Sequence, residues 1–502
     1  MLPIKFINTV NDKLKDKELA DKLKAEKKAT KLSKNSIVDL IELIRRDVEE
    51  HLGQYKEQYQ LITTVEDLDA YINKANEYGY IAIDTETTGL NPMVDKIVGL
   101  CLYFPGEKAV YVPINHVDYF SGDRLDNQLT PEQIKPILEK LTAKVIMHNA
   151  QFDIRVIKHT LKVKLTCWWD TQIGAILLNE NEPHKLKYLH GKYISKTEEK
   201  SFSDYFGKTS FADIPIEYAY LYAAHDAVDT FDLYEFQSKY LCDDEKRPDR
   251  TELNWLYRNI EIPMIEVIVS LEDTGVAVDT DYLDVLKKKY HSNLKVALDK
   301  CYEEMNVYKD KIDLYNSEHP DKPLKEPLNI GSAQQLAILF YDILKAKSIK
   351  NKKARSTDAD VMSIWQDKYP IAKYILEYRA AKKITSTYID NIYGIIHTDG
   401  RVHTHFNSNG AKTGRMSSSD PLNLQNIPAR NEDLRKMFVG QTTYRDVEQR
   451  HDGAYIFDRF EEVETIDGWK FVEELTPGTK LIDGEIVKVV KVKDFKVLVG
   501  VE

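Results

Sequence analysis

Cysteine is scarce in this chain. Its four copies among 502 residues, Cys101, Cys167, Cys242 and Cys301, stand far apart and form no C-x-x-C pair. That spacing argues against a disulfide framework and against a cysteine-based zinc site, and the four read as core filler. No apolar run approaches the roughly 20 residues needed to cross a bilayer. The N-terminal stretch "MLPIKFINTVNDKLKDKELADKLKAEKKATKLSKN" has neither the apolar core nor the small-residue cleavage site of a secretory signal. The expectation is a soluble, cytoplasmic protein with no membrane partner. Positive charge is short overall, at a formal net charge of −11. Global charge governs solubility and steering, however, and phosphate binding needs only local basic tracks. Three such tracks are present: the lysine-rich first 35 residues, "KNKKARS" at 350–356 and "EYRAAKKITSTY" at 377–388.

The pattern of residues divides the chain into four parts. Residues 1–65 read as a charged helical segment, with "NSIVDLIELIRRDVEEHL" its most amphipathic stretch. Residues 66–240 alternate β-like runs ("GYIAIDT", "KIVGLCLYF", "KAVYVPI", "KVIMHN") with helical ones, the rhythm of an α/β layer fold. Residues 250–440 begin with long helices. Ser332 followed by Gln335 marks a capping box there, and "YGIIHTDGRVHTHFN" reads as a hairpin turning at Asp399-Gly400. Residues 441–502 read as a β-rich tail of short strands and Gly turns.

Chemistry concentrates in "YIAIDTETTGLNP". Side chains alternate across a strand, so Asp84 and Glu86 leave the same face while Ile81 and Ile83 enter the core. Two anions so close call for a cation between them. "VIMHNAQFDIRVI" places Asn149 and Asp153 four apart, and "YLYAAHDAVDTFDLY" does the same for Tyr222 and Asp226, a spacing that shares a helix face. Asp84, Glu86, Asp153 and Asp226 together form a hard-oxygen cage suited to two Mg²⁺ or Mn²⁺ ions.

The order D-x-E, N-x-x-x-D, Y-x-x-x-D resembles the tyrosine-containing branch of the DEDD 3′→5′ exonucleases. That resemblance implies a ribonuclease H-like mixed sheet with flanking helices and in-line, two-metal hydrolysis of the terminal phosphodiester. It implies that Asp84, Glu86 and Asp226 hold one metal, that Asp84 and Asp153 meet the second, and that Tyr222 orients the attacking water. Leu90 would wedge beside the terminal base, and Asn149 would hold Asp84 or the strand end. His225 reads as a neutral structural histidine.

Four further segments, 259–279, 328–340, 375–390 and 400–428, resemble consecutive parts of family A DNA polymerases of the bacterial polymerase I type. By that resemblance the exonuclease is followed by a mainly helical thumb and the first part of a palm. Thr357 would cap a helix beside the basic loop carrying Lys352 and Lys353. Arg415, Asn423, Gln425 and Asn426 would touch primer–template DNA, with Leu422 an additional residue relative to the bacterial pattern. The D-Y-S, R-x-x-x-K and H-D-E segments that such polymerases carry after the stretch matching "DLRKMFV" do not follow it in these 502 residues. The polypeptide is therefore expected to be the N-terminal part of a polymerase, to shorten a primer without lengthening it, and to take the rest of the palm and the fingers from a second chain or a continuation encoded elsewhere. Residues 464–489 resemble the β-rich opening of hedgehog/intein modules, without their nucleophilic Cys or T-x-x-H signature. The Lys-, Asn- and Tyr-rich composition and the lack of a preceding 5′-nuclease region resemble a bacteriophage enzyme acting in a bacterial host cell. The competing readings are a free-standing DEDD nuclease on RNA or single-stranded DNA, and a non-catalytic DNA-binding subunit.

Overall fold

The computed structural model describes residues 44–118, 121–207, 209–349, 352–397, 399–408 and 414–440, together with five strands between 454 and 501. The lysine-rich start, residues 350–351 of the basic loop and residues 409–413 lie outside the described residues. Two compact units emerge, one running to Thr274 and including Phe406–Ser417, the other comprising Gly275–His405 and the chain from Ser418.

The first unit is built on a mixed six-stranded sheet in the order β1-β4-β3-β2-β5-β6. Its strands are β1 (Tyr59–Leu61), β2 (Tyr80–Thr87), β3 (Ile97–Tyr103), β4 (Ala109–Pro113), β5 (Lys144–Met147) and β6 (Cys167–Asp170). Strand β3 runs antiparallel to β2 and β4, whereas β1 is parallel to β4 and β5 to both β2 and β6. The sheet therefore begins at Tyr59, earlier than the expected boundary at 66. Helix α1 (44–52) inserts Ile44, Val48 and Leu52 into the same core.

Helix α2 (Val65–Tyr78) delivers the chain to β2. Thr64 caps its start by accepting from Asp67 N, and Gly79, at φ +90°, takes the left-handed turn that ends it. Past β2, Gly89 is required because a Cβ would meet the Asp95 carboxylate at 2.5 Å. That carboxylate ties the loop down, accepting from Thr88 Oγ1 at 2.9 Å and from Asn91 N at 2.8 Å.

Helix α4 (Ala150–Leu161) follows β5, and α7 (Ile216–Gln237) runs over β2, β3 and β4. The unit extends beyond residue 240 through α8 (Pro248–Leu256), a π-type turn and α9 (Ile262–Thr274). A buried ionic cluster clamps α9 to α4. Arg155 pairs with Glu272 and donates to Asp273 Oδ1 at 2.8 Å, and His159 Nε2 lies 2.9 Å from the same oxygen. The clamp holds the helix that carries Asp153.

The second unit is dominated by α10 (Thr280–Met305), which packs along α12 (Pro370–Lys383). Its core gathers Leu336, Phe340, Met362, Trp365 and Ile375. Three local expectations are corrected. Asp358, not Thr357, caps α11 (Ala359–Trp365), accepting from Val361 N, while buried Thr357 gives its carbonyl to Arg379. Ser332 does accept from Gln335 N, but the Gln335 side chain turns to Asn329 N, so the capping box is half made. The chain does turn tightly at Asp399-Gly400, with His397 N donating to Arg401 O at 2.8 Å; yet β8 (Arg401–Val402) pairs with β7 (Val276–Ala277) instead of a hairpin partner. Leu422 is 5 % exposed and fills the core. In the tail, Ala454–Asp458 and Val487–Lys493 flank Lys496–Val501 in an antiparallel sheet, and Glu462–Thr465 pairs with Gly468–Phe471.

Candidate active site

Strand β2 presents Asp84 opposite Cys101 and Glu86 opposite Gly99 on β3, and the register shifts by a bulge between Glu86 and Thr87. A bulge at a strand end re-aims the side chains beside it. Ligand atoms of Asp84, Glu86 and Cys101 lie within 4.8 Å of one another. Gly99 leaves room for the Tyr111 ring here, since a Cβ would fall 2.0 Å from Tyr111 Oη. Both acids are half-buried, so the site opens to solvent on their side.

Asp153 arrives from the first turn of α4, and Thr85 fixes it. The carboxylate accepts from Thr85 Oγ1 at 2.6 Å and Thr85 N at 3.1 Å. The start of α4 is set by Asp170, whose carboxylate accepts from Ala150 N at 2.7 Å and also from Gln172 N and Ile173 N, thereby capping α5 (Thr171–Leu178) as well. Asn149 is the residue before the helix, with a left-handed backbone at φ 67° and no side-chain capping bond. Asn is among the few residues that adopt this backbone readily, and Asp170 makes the restraining bonds.

Helix α7 contributes Tyr222 and Asp226 from successive turns, both buried. Burial, then repulsion from Asp153 and Asp226, pushes the Asp84 carboxyl well above the usual carboxylate range. Glu86 is raised by burial and by Asp84 and Asp226. Burial lifts Asp153 to about 7 against the Thr85 hydrogen bonds. Burial also raises Asp226, with Lys187 opposing the shift.

Lys187, which the sequence reading passed over, is the cation at this cluster. It stands on the short helix α6 (Leu186–His190), pairs with Asp226 and donates to Asp229 Oδ2 at 2.7 Å. His225 faces away from the four acids. Its Nδ1 is 2.5 Å from Tyr59 Oη, and burial holds its pKa below the ordinary imidazole value.

The structure thus brings Asp84, Glu86, Asp153, Asp226 and Tyr222 together. The remaining expected residues occupy separate elements. Leu90 is 89 % exposed in the loop after β2, and Arg415 is exposed in the first unit. In the second unit Lys352 pairs with Asp360, Lys353 is exposed, and Asn423 caps the short turn Leu424–Asn426 by accepting from Gln425 N. Gln425 and Asn426 are exposed, with the Asn426 carbonyl accepting from Tyr388 Oη.

The donor set fits divalent cations. Four carboxylate side chains converge against one ammonium, leaving a net negative, hard-oxygen pocket of the kind Mg²⁺ or Mn²⁺ occupies.

Comparison with known proteins agrees with this geometry. Residues 59–241 match the family model described as 3′-5′ exonuclease, and residues 299–449 match DNA polymerase family A. The chain is 30 % identical over 399 residues to DNA polymerase I of Synechocystis sp., covering 76 % of this chain and 38 % of that protein. It is 31 % identical to DNA polymerase I of Chloroflexus aurantiacus, covering 77 % and 39 %, and 27 % identical to the DNA polymerase of Escherichia phage T5, covering 77 % and 45 %. In fold it resembles the POL domain of Pol1 from M. smegmatis in complex with DNA primer-template and dNTP (TM-score 0.57, 21 % identity, 76 % of this chain and 59 % of that one). Sheet and acid pocket together define a 3′-5′ exonuclease domain, joined to a largely helical polymerase-type region. The match to DNA polymerase family A rests on residues 299–449, and the chain spans about two-fifths of the length of the curated relatives it matches.

Proposed function

We propose that this chain is a 3′→5′ exonuclease that removes nucleotides from the 3′ end of DNA, proofreading for a family A polymerase. The observation that carries the reading is the convergence of four carboxylates from a strand and two helices, with Tyr222 one turn before Asp226 on the same helix. Two divalent cations, Mg²⁺ or Mn²⁺, would be held by Asp84, Glu86, Asp153 and Asp226, and would supply an activated water and charge stabilisation for the departing 3′ oxygen. The chain's own residues do the positioning. Thr85 fixes the Asp153 carboxylate, the β2 bulge aims Glu86, and the Tyr222 hydroxyl orients the water. Leu90, exposed in the loop after β2, packs against the terminal base.

The second unit grips primer–template DNA as thumb and first part of palm, with Lys352, Lys353, Asn423, Gln425 and Asn426 on the nucleic acid, as is Arg415 of the first unit. DNA synthesis belongs to the full polymerase, its remaining palm and fingers coming from outside these 502 residues. No helix among the described residues is long and apolar enough to cross a membrane, and the proposed place of action is the cytoplasm. The test is digestion of 5′-labelled single-stranded DNA with Mg²⁺ or Mn²⁺, comparing the chain with Asp84→Ala. Stepwise shortening that disappears in the variant is expected, and undiminished digestion by Asp84→Ala would overturn the site.

A further inference from the structure

Two cations stand three residues apart on one short stretch, Lys187 and His190, and face three acids at the same spacing on α7: Asp226, Asp229 and Asp232. Lys187 Nζ pairs with Asp226 and lies 2.7 Å from Asp229 Oδ2, with its ammonium 5.3 Å from the centre of the Tyr222 ring. His190 Nδ1 is 2.6 Å from Glu199 Oε1 and 3.5 Å from Asp229 Oδ1, and its Nε2 is 3.3 Å from Asp232 Oδ2. The Lys187 side chain is 11 % exposed and Asp229 is fully enclosed. The two acids that hold the lysine are therefore unlike each other. Asp226 belongs to the four-carboxylate pocket, whereas Asp229, one turn further along α7, is bound only into the network behind it.

We propose that Lys187 is a positioning residue of the nuclease: anchored on Asp229, its ammonium is the resident cation of the pocket, holding Asp226 in place and competing with the divalent ion that binds there. The proposal rests on the reading of the four acids as a divalent-metal site. Two carboxylates at salt-bridge distance, Asp226 and Asp229, hold the ammonium in place. A divalent ion on Asp226 would then sit roughly 5 Å from that charge, where even water-like screening weakens its binding more than about tenfold. The same charge keeps the acids from driving one another apart when no metal is bound.

The experiment is Mn²⁺ binding to the full chain, followed by electron paramagnetic resonance and paired with metal-free melting. Lys187→Met is combined with Asp229→Asn so that the fully enclosed Asp229 is not left as an unpaired charge, while Asp226 stays free to take the metal. The double variant should bind Mn²⁺ a few-fold more tightly than the wild type, since loss of the more distant Asp229 charge offsets part of the gain, and should melt lower in chelator. Asp229→Asn alone leaves the ammonium with Asp226 as its sole acid, and should weaken Mn²⁺ binding several-fold. A purely structural lysine would lower melting in both variants without these opposite shifts. Unchanged or weaker binding by the double variant overturns the proposal, as does unchanged or tighter binding by Asp229→Asn. If the wild type itself shows no Mn²⁺ binding that Asp84→Ala removes, the metal-site reading falls and this inference falls with it.

Discussion

Replacing Asp153 by Asn should stabilise the metal-free protein, and by an amount that grows with pH. The Asp153 carboxyl is 3 % exposed and rises from 3.8 to about 7 through burial. Between those values the unfolded chain has already released a proton that the folded chain keeps. The native state thus binds more protons, and stability falls as pH rises through the interval. At 1.36 kcal/mol per pH unit the full penalty, reached above pH 7, is about 4 kcal/mol. Asn removes the charge while its oxygen can still accept from Thr85, so the variant escapes that loss. Carboxyls held low, such as Asp273 beside His159 and Arg155, act only at more acid pH and are common to both proteins, so they cancel in the difference. The assay is calorimetric melting in EDTA from about pH 5 to about pH 8. The melting difference should grow from roughly 3–7 °C at the acid end of this range to roughly 8–16 °C at its upper end for a unit of this size. Excess Mn²⁺ should reverse its sign, because the metal stabilises the state that binds it and needs the carboxylate. A melting difference that stays constant across this pH range in EDTA would refute the argument, since it would mean that Asp153 ionises as freely in the folded chain as in the unfolded one.

Lys352→Glu with Lys353→Glu should weaken duplex binding and make its salt dependence shallower by roughly one to two in log–log slope, measured by anisotropy, while digestion of a short single strand changes little. Since Lys352 is already paired with Asp360, Lys353→Glu alone should produce most of the effect. Gly99→Ala should cost about 1–3 kcal/mol in urea unfolding, because the added methyl displaces the buried Tyr111 ring. The same displacement lies beneath Glu86, so Mn²⁺ affinity should drop in parallel.

Much of the fold was legible because periodicity is a local property. The alternation in "YIAIDTET" and the apolar runs at 97–103 and 109–113 each became a strand, and the three elements bearing the acids followed in the expected order. Boundaries were harder to read. Residues 59–61 are only three, too few to carry a period, and they become strand solely because β4 offers them an edge. Helices α8 and α9 read as the start of the next domain, yet Glu272 and Asp273 are buried against Arg155 and His159, a pairing across more than 100 residues that no window of sequence displays. The hairpin at 393–407 failed for a similar reason. Its turn chemistry was right at Asp399-Gly400, but the strand that β8 meets comes from Val276–Ala277.

At the site, legibility divides by what each residue answers to. Asp84, Glu86, Asp153, Tyr222 and Asp226 answer to spacing, since a strand repeats every second residue and a helix every third or fourth, so a cage of ligands leaves a regular trace. Thr85 and Asp170 answer to hydrogen-bond accounting: a buried carboxylate needs donors and a helix start needs an acceptor, but any of several nearby polar residues could have served. Lys187 answers to charge. The opening pair of acids already required a cation, and the three-residue spacing of Lys187 and His190 against Asp226, Asp229 and Asp232 was present in the sequence as its signal. It was overlooked because a divalent ion satisfied the same demand. The folded chain shows that both demands exist together. A pocket whose carboxylates are all raised by burial and mutual repulsion must hold some positive charge even before metal arrives, and a lysine tethered to a carboxylate outside the metal ligands supplies it without blocking the half-open side where Asp84 and Glu86 meet solvent.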